Sequence, residues 1–179
     1  MVLWFLSENI LGRMTRVKSG ETKSQDKYSL IVVQIAVMTG MFLGIFCGLN
    51  KFGVLSLDPI ITATWGLIFL IAGIVFRWTA ILTLRKYFSV YVRIREDHKV
   101  VKNGLYKYLR HPSYTGSLIS FFGLGLYFRS IWSILFLMVP LFLAYLYRMN
   151  CEEKALIQAL GNEYIEYTKS TKRLIPWVY

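Results

Sequence analysis

His98-Lys99-Val100-Val101-Lys102-Asn103-Gly104-Leu105-Tyr106-Lys107-Tyr108-Leu109-Arg110-His111-Pro112-Ser113-Tyr114-Thr115-Gly116 is a polar stretch set between long apolar windows. Upstream, Ile60 to Leu84 carries a single charge, Arg77; downstream, Ser113 to Phe128 carries none. A second polar cluster, Arg148-Met149-Asn150-Cys151-Glu152-Glu153, follows another uncharged window, Ile131 to Tyr147. The sequence between the clusters is long enough to cross a bilayer and return. That return brings Arg148 and Glu152 to the face that holds His111. Ionisable groups at a membrane boundary are costly, so a dense set of them reads as a site.

The composition agrees. The 179 residues are 55% hydrophobic and only 17% charged, with mean hydropathy +0.46, against roughly 25% charged in a soluble domain. The reading is an all-α integral membrane protein of about four transmembrane helices, with a fifth short or interfacial helix at the N-terminus. The formal net charge of +11 flanks the spans and forms no separate basic patch. It fits the positive-inside bias and contact with anionic membrane lipids, and argues against nucleic acid. Cys47 and Cys151 fall at opposite ends of the apolar sequence, so a disulfide is not expected, and no metal-ligand spacing is present.

In order, residues 1–27 form an N-terminal segment. Met1 to Leu11 is apolar but too short to span, and lacks the leading charges and cleavage site of a signal peptide; an interfacial helix is expected there. Residues 28–84 hold two spans, Tyr28 to Leu49 and Ile60 to Leu84. Gly40, Gly44 and Gly48 put one small-residue face on the first, for close helix packing. Arg77 either snorkels to the interface or faces the bundle interior. Residues 85–179 hold a basic loop, a hairpin of two spans, a helical extension from Arg148 to Gly161 and an amphipathic segment from Asn162 to Tyr167. The terminal Ile175 to Tyr179 is expected on the interface. Pro112 suits the first turn of a helix, and Gly116, Gly123 and Gly125 permit close approach. The lysines and arginines of the 85–110 loop place it, and both termini, in the cytoplasm.

Arg148 and Glu152 are four apart and share one helix face. With His111 at the start of the preceding span they define a pocket at the cytoplasmic end of the hairpin. It offers a cation, an anion, an imidazole, the phenols of Tyr106 and Tyr114, and amides at a helix start. Each feature alone is ordinary: an interfacial ion pair, a polar helix start, aromatic-belt residues. Their joint occurrence points to a polar ligand. A zwitterion with an amino group, a carboxylate and a flat base suits the set: Glu152 for the ammonium, His111 and the helix-start amides for the carboxylate, a tyrosine for a ring or sulfonium. S-adenosylmethionine has these parts. Methyl transfer to a carboxylate requires alignment and no general base, with Arg148 to hold the acceptor.

Gly104-Leu105-Tyr106-x-x-x-Arg110-His111-Pro112-Ser113-Tyr114-x-Gly116, then Arg148-x-x-x-Glu152-Glu153, then Tyr164-x-x-Tyr167 and Ile175-Pro176, resembles the isoprenylcysteine carboxyl methyltransferases and their prokaryotic relatives, over roughly residues 85–179. The resemblance implies a membrane methyltransferase with S-adenosyl-L-methionine as cofactor and S-adenosyl-L-homocysteine as product, acting on a lipophilic or lipidated acceptor. By the family's pattern, the cofactor residues are His98, Lys99, Val100, Val101, Tyr106, His111, Pro112, Ser113, Tyr114 and Glu152, and Arg148 orients the acceptor. Tyr91 stands where eukaryotic members carry glutamine, and Val100 replaces a usual leucine. With about four spans the chain resembles the prokaryotic branch, which leaves the acceptor open: an isoprenylated cysteine, another lipid carboxylate, an amine or phospholipid, or a thiol. A sterol-reductase-like enzyme using NADPH and a non-enzymatic scaffold are the rival readings.

Overall fold

The computed structural model describes residues 28–84, 87–88, 99–176 and 179. The expected N-terminal helix, Tyr91 and His98 lie outside them. Five α-helices follow in order: α1 (Tyr28–Leu49), α2 (Pro59–Leu84), α3 (Pro112–Tyr127), α4 (Ile131–Leu160) and α5 (Asn162–Ser170), with a 3-10 turn at Gly104–Lys107. Among the described residues the pairing outside helices is confined to two isolated bridges, Val54 with Ser130 and Leu109 with Lys172. In hydrocarbon every backbone donor must be satisfied within its own element, and uncharged runs of this length meet that demand as helices.

Three helices, α1, α2 and α4, are long and apolar enough to cross a membrane. The 16 residues of α3 extend only about 24 Å at 1.5 Å per residue, less than the roughly 30 Å of a hydrocarbon core. The 30 residues of α4 extend about 45 Å, so its C-terminal half, with Arg148, Glu152 and Glu153, reaches past its apolar part.

The helix ends follow local chemistry. Asp58 caps α2, its Oδ1 accepting from the amides of Ile60 at 2.8 Å and Ile61 at 3.0 Å. Ser130 starts α4 by accepting from Ser133 N at 3.2 Å, and donates to Phe52 O at 2.6 Å, which pins the two turns at that end together. Gly161, at φ +56°, ends α4.

The helices touch in the order α2, α3, α4, α1, and the contacts are backbone-close. A Cβ on Gly40 would stand 2.6 Å from Phe136 O, and one on Gly44 would stand 2.8 Å from Leu137 Cγ, so the glycine face of α1 packs on α4. Gly116 and Gly123 of α3 meet Gly73 and Gly66 of α2 in the same way. Without a hydrophobic drive between helices in lipid, this closeness is the source of association. Met41, Phe121, Leu137, Leu141 and Tyr145 fill the centre, while Ile35, Met38 and Phe42 of α1 and Ile61, Ile68, Ile71 and Val75 of α2 face outward, as lipid requires. The chain is thus an all-helical integral membrane protein.

Candidate functional site

The site forms at the bundle end where α1 begins, α2 finishes, α3 begins and α4 continues outward. Tyr114 is its centre. Its hydroxyl accepts from Arg148 Nε at 2.9 Å and donates to Glu152 Oε2 at 2.7 Å. The two charged residues that the i, i+4 spacing places on one face are therefore joined through a phenol. The ring of Tyr114 is stacked between His111 (centroids 5.4 Å apart) and Tyr145 (4.5 Å), which fixes where that hydroxyl points. Arg148 is 5% exposed, and its Nη1 donates to Ser29 Oγ of α1 at 3.0 Å. The side chain of Glu152 stays 32% exposed, with Oε2 3.8 Å from His111 Nδ1.

Behind this lies a buried ionic knot. Glu153 Oε1 accepts from Arg110 Nε at 2.9 Å and pairs with His111 Nε2 at 3.1 Å; its Oε2 accepts from Arg173 Nη2 at 2.6 Å. Arg110 Nη1 also donates to the carbonyls of Thr168 and Thr171. The segment after α5 runs parallel to residues 108–111: Lys172 N donates to Tyr108 O, Arg110 N to Lys172 O and His111 N to Arg173 O. Thr115 Oγ1 adds a bond to Leu174 O at 2.8 Å. Residues 172–174, just before the terminal stretch expected on the interface, are threaded across the start of α3. The buried Tyr167 donates to the carbonyls of Tyr106 at 2.7 Å and Leu109 at 3.3 Å, tying α5 to the same loop.

Tyr106 is buried, and its phenol is pushed well above the ordinary value by that burial and then by the Glu152 carboxylate. It therefore works as a neutral donor or ring. Pro112 and Ser113 are buried at the α2–α3 contact, where Ser113 O accepts from Arg77 Nη1 at 3.2 Å. Arg77 also donates to Ser117 Oγ at 2.8 Å, so it turns inward to α3 and does not snorkel. Lys99 is exposed, Val100 and Val101 are half-buried, and none of the three hydrogen-bonds to the His111 cluster among the described residues. The structure thus gathers Tyr106, His111, Tyr114, Arg148 and Glu152, with Pro112 and Ser113 as their footing. One expectation changes: Pro112 has no amide hydrogen and the His111 amide is taken by Arg173 O, so the helix start offers a carboxylate fewer donors than its position promises.

Sequence reasoning missed Glu153, Arg173, Ser29 and Tyr145 as parts of the site. Glu153 and Arg110 stand inside the quoted motifs, so adjacency was a usable signal. The partners Ser29 and Arg173 come from sequence too distant for spacing to reach.

Fold and site together define a membrane-embedded helical bundle with a charged, aromatic-centred cluster at one end. Residues 66–158, just over half of the chain, match the isoprenylcysteine carboxyl methyltransferase (ICMT) family. The chain belongs to that family. It is 34% identical over 118 residues to protein-S-isoprenylcysteine O-methyltransferase B of Arabidopsis thaliana, covering 65% of this chain and 60% of that protein. It is 32% identical over 125 residues to protein-S-isoprenylcysteine O-methyltransferase of Saccharomyces cerevisiae, covering 69% of this chain and 52% of that one. The chain thus spans little more than half the length of these relatives. A solved structure of the eukaryotic intramembrane Ras methyltransferase ICMT superposes with a TM-score of 0.61 at 24% identity, covering 81% of this chain and 52% of that one, a likeness of fold.

Proposed function

We propose that the protein is an integral membrane methyltransferase that uses S-adenosylmethionine to methylate a carboxylate on a lipophilic acceptor such as isoprenylcysteine. The observation that carries this reading is the Arg148–Tyr114–Glu152 bridge, which couples a buried cation to a half-open anion beside a stack of three rings. The family's chemistry supports it.

The residues suit the cofactor. Glu152 is a carboxylate left partly open beside otherwise buried partners, a place for an ammonium. Tyr106 supplies a neutral ring and hydroxyl, and Tyr114, its hydroxyl held between Arg148 and Glu152, supplies its ring. When bound, S-adenosylmethionine supplies an electrophilic methyl group on a sulfonium. The chain's own task is alignment. Arg148, fixed by Tyr114 and Ser29, holds the acceptor carboxylate by a charge-assisted pair. That carboxylate is already ionised near neutral pH, so the site needs no base. The apolar outer faces of α1 and α2 keep the acceptor's lipid tail in the bilayer. The full reading has α1 to α4 all crossing, with α3 the short span, and the site and both ends of the chain in the cytoplasm, as the basic loops favour.

Calorimetry with S-adenosylhomocysteine tests the cofactor half: saturable binding to wild type and its loss in Glu152→Ala are expected. Arg148→Lys keeps the charge and loses the planar fork, so it should cut turnover well beyond any change in cofactor affinity. Absence of binding to folded wild-type protein, or equal loss of both properties in Arg148→Lys, would refute the assignment.

A further inference from the structure

Two carboxylates flank His111 and meet different nitrogens. Glu153 Oε1 lies 3.1 Å from Nε2, a hydrogen bond. Glu152 Oε2 lies 3.8 Å from Nδ1, too far for one. Glu153 is also gripped by the guanidinium groups of Arg110 and Arg173. A carboxylate so held is ionised and accepts only, so the nitrogen it meets must carry the hydrogen. We propose that Glu153 is a positioning residue that fixes the tautomer of His111: Nε2 is protonated and Nδ1 presents its lone pair toward Glu152. Nδ1 and Glu152 Oε2 then form a pair of acceptors whose 3.8 Å separation one ammonium nitrogen, about 3 Å from each, spans.

The consequence is a polarity. This corner takes the cationic end of a ligand, not its carboxylate. The Tyr114 hydroxyl donates at 2.7 Å to the same oxygen, Glu152 Oε2, and a carboxylate oxygen keeps a further lone pair for a second donor. The other charged or titratable groups around the pair, among the described residues, are Arg110 and Arg173, which grip Glu153; Arg148, held to Glu152 through Tyr114; and the buried phenols of Tyr106 and Tyr164, which feel the glutamate charges. The His111 main-chain amide is committed to Arg173 O, which removes the donor an anion would seek there. For the ligand's identity this rests on the methyltransferase reading: the ammonium is then the α-amino group of the cofactor.

The test begins on unliganded wild-type protein. The chain has two histidines, so histidine-selective nitrogen-15 labelling in detergent gives two ring systems, assigned with His98→Gln. The proposal expects long-range proton–nitrogen cross-peaks of a neutral Nε2–H imidazole for His111. An Nδ1–H or doubly protonated pattern at the pH of the binding assay overturns it. The second arm measures Kd for S-adenosylhomocysteine, its des-amino analogue and its decarboxy analogue. Loss of the amine should weaken binding at least about tenfold, and loss of the carboxylate less. The reverse order overturns the proposed polarity. Glu153→Gln, which can donate to Nε2, should introduce Nδ1–H signal and weaken the amine-bearing ligands while the des-amino analogue changes less than about twofold; a role confined to folding would weaken all three alike. If Glu153→Gln does not fold, the wild-type spectrum and ligand series still decide. If none of the nucleosides binds, the methyltransferase reading falls while an Nε2–H spectrum upholds the tautomer.

Discussion

Tyr114→Phe removes one oxygen and leaves the rest of the site in place. The ring stays between His111 and Tyr145, at centroid distances of 5.4 and 4.5 Å, so packing is kept. Two hydrogen bonds to charged groups are lost, at 2.9 Å from Arg148 and 2.7 Å to Glu152. Their costs differ. Glu152 is 32% exposed, and water replaces the lost donor at little penalty. Arg148 is 5% exposed, and its Nε loses the Tyr114 oxygen in a buried place, where a lost hydrogen bond to a charged group costs about 1–3 kcal/mol. Where that guanidinium must be aligned to hold the acceptor, about 1.4–2.8 kcal/mol of the lost alignment appears as a tenfold to hundredfold fall in kcat. S-adenosylhomocysteine affinity should change by no more than about threefold, because Glu152 remains. Steady-state rates in proteoliposomes, with calorimetry on the same preparation, separate the two. Wild-type kcat in Tyr114→Phe would show that the bridge is incidental and sink the coupling of Arg148 to Glu152.

Two further expectations concern the scaffold. Gly73→Leu forces a Cβ to within 2.5 Å of Gly116 O, backbone against backbone, so it should cost more than the about 1–3 kcal/mol of ordinary overpacking and sharply reduce folded yield by size-exclusion chromatography, whereas Ala72→Leu on the exposed face should not. The tyrosines near the loop give a pH dependence. Burial raises the phenols of Tyr106, Tyr164 and Tyr167 above their ordinary value of 10.0. Their contribution is fully present below pH 10 and is lost as pH rises through the folded values, because the unfolded chain releases those protons first. Each phenol removes about 1.4 kcal/mol per pH unit in that window, so the thermal midpoint should hold to about pH 10 and then fall steeply. A midpoint flat to pH 11.5 would contradict their burial.

The helices were legible because hydrocarbon leaves so few options. The long apolar runs gave α1 and α2 to within a residue, and α4 as a span to Tyr147 with a helical extension to Gly161 against the observed end at Leu160; the glycines at four-residue spacing marked the face of α1 that meets α4. The central site residues were legible for a related reason: an ionisable group at a membrane boundary needs a purpose, and Arg148, Glu152 and His111 stand out against apolar neighbours. What spacing could not supply was partnership across distant sequence. Nothing in Ser29 signals that it receives Arg148, and nothing in Arg173 signals that it closes on Glu153. Arg77 was ambiguous because snorkelling and inward bonding begin from the same position near a helix end; Ser113 O and Ser117 Oγ, supplied by α3, decide it. Of the two adjacent glutamates, position alone could not tell which stays partly open and which closes the knot, and the difference lies in Arg110 and Arg173.

The most direct measurement is methyl transfer itself. Wild-type protein and Glu152→Gln, purified and reconstituted in lipid vesicles, are incubated with methyl-labelled S-adenosylmethionine and a farnesylated cysteine carrying a free carboxylate. The account predicts label in the lipid fraction of wild type, released as methanol by mild alkali, and little or none with Glu152→Gln. Alkali-stable label, equal transfer by both proteins, or no transfer by folded wild type to any lipophilic carboxylate would contradict it.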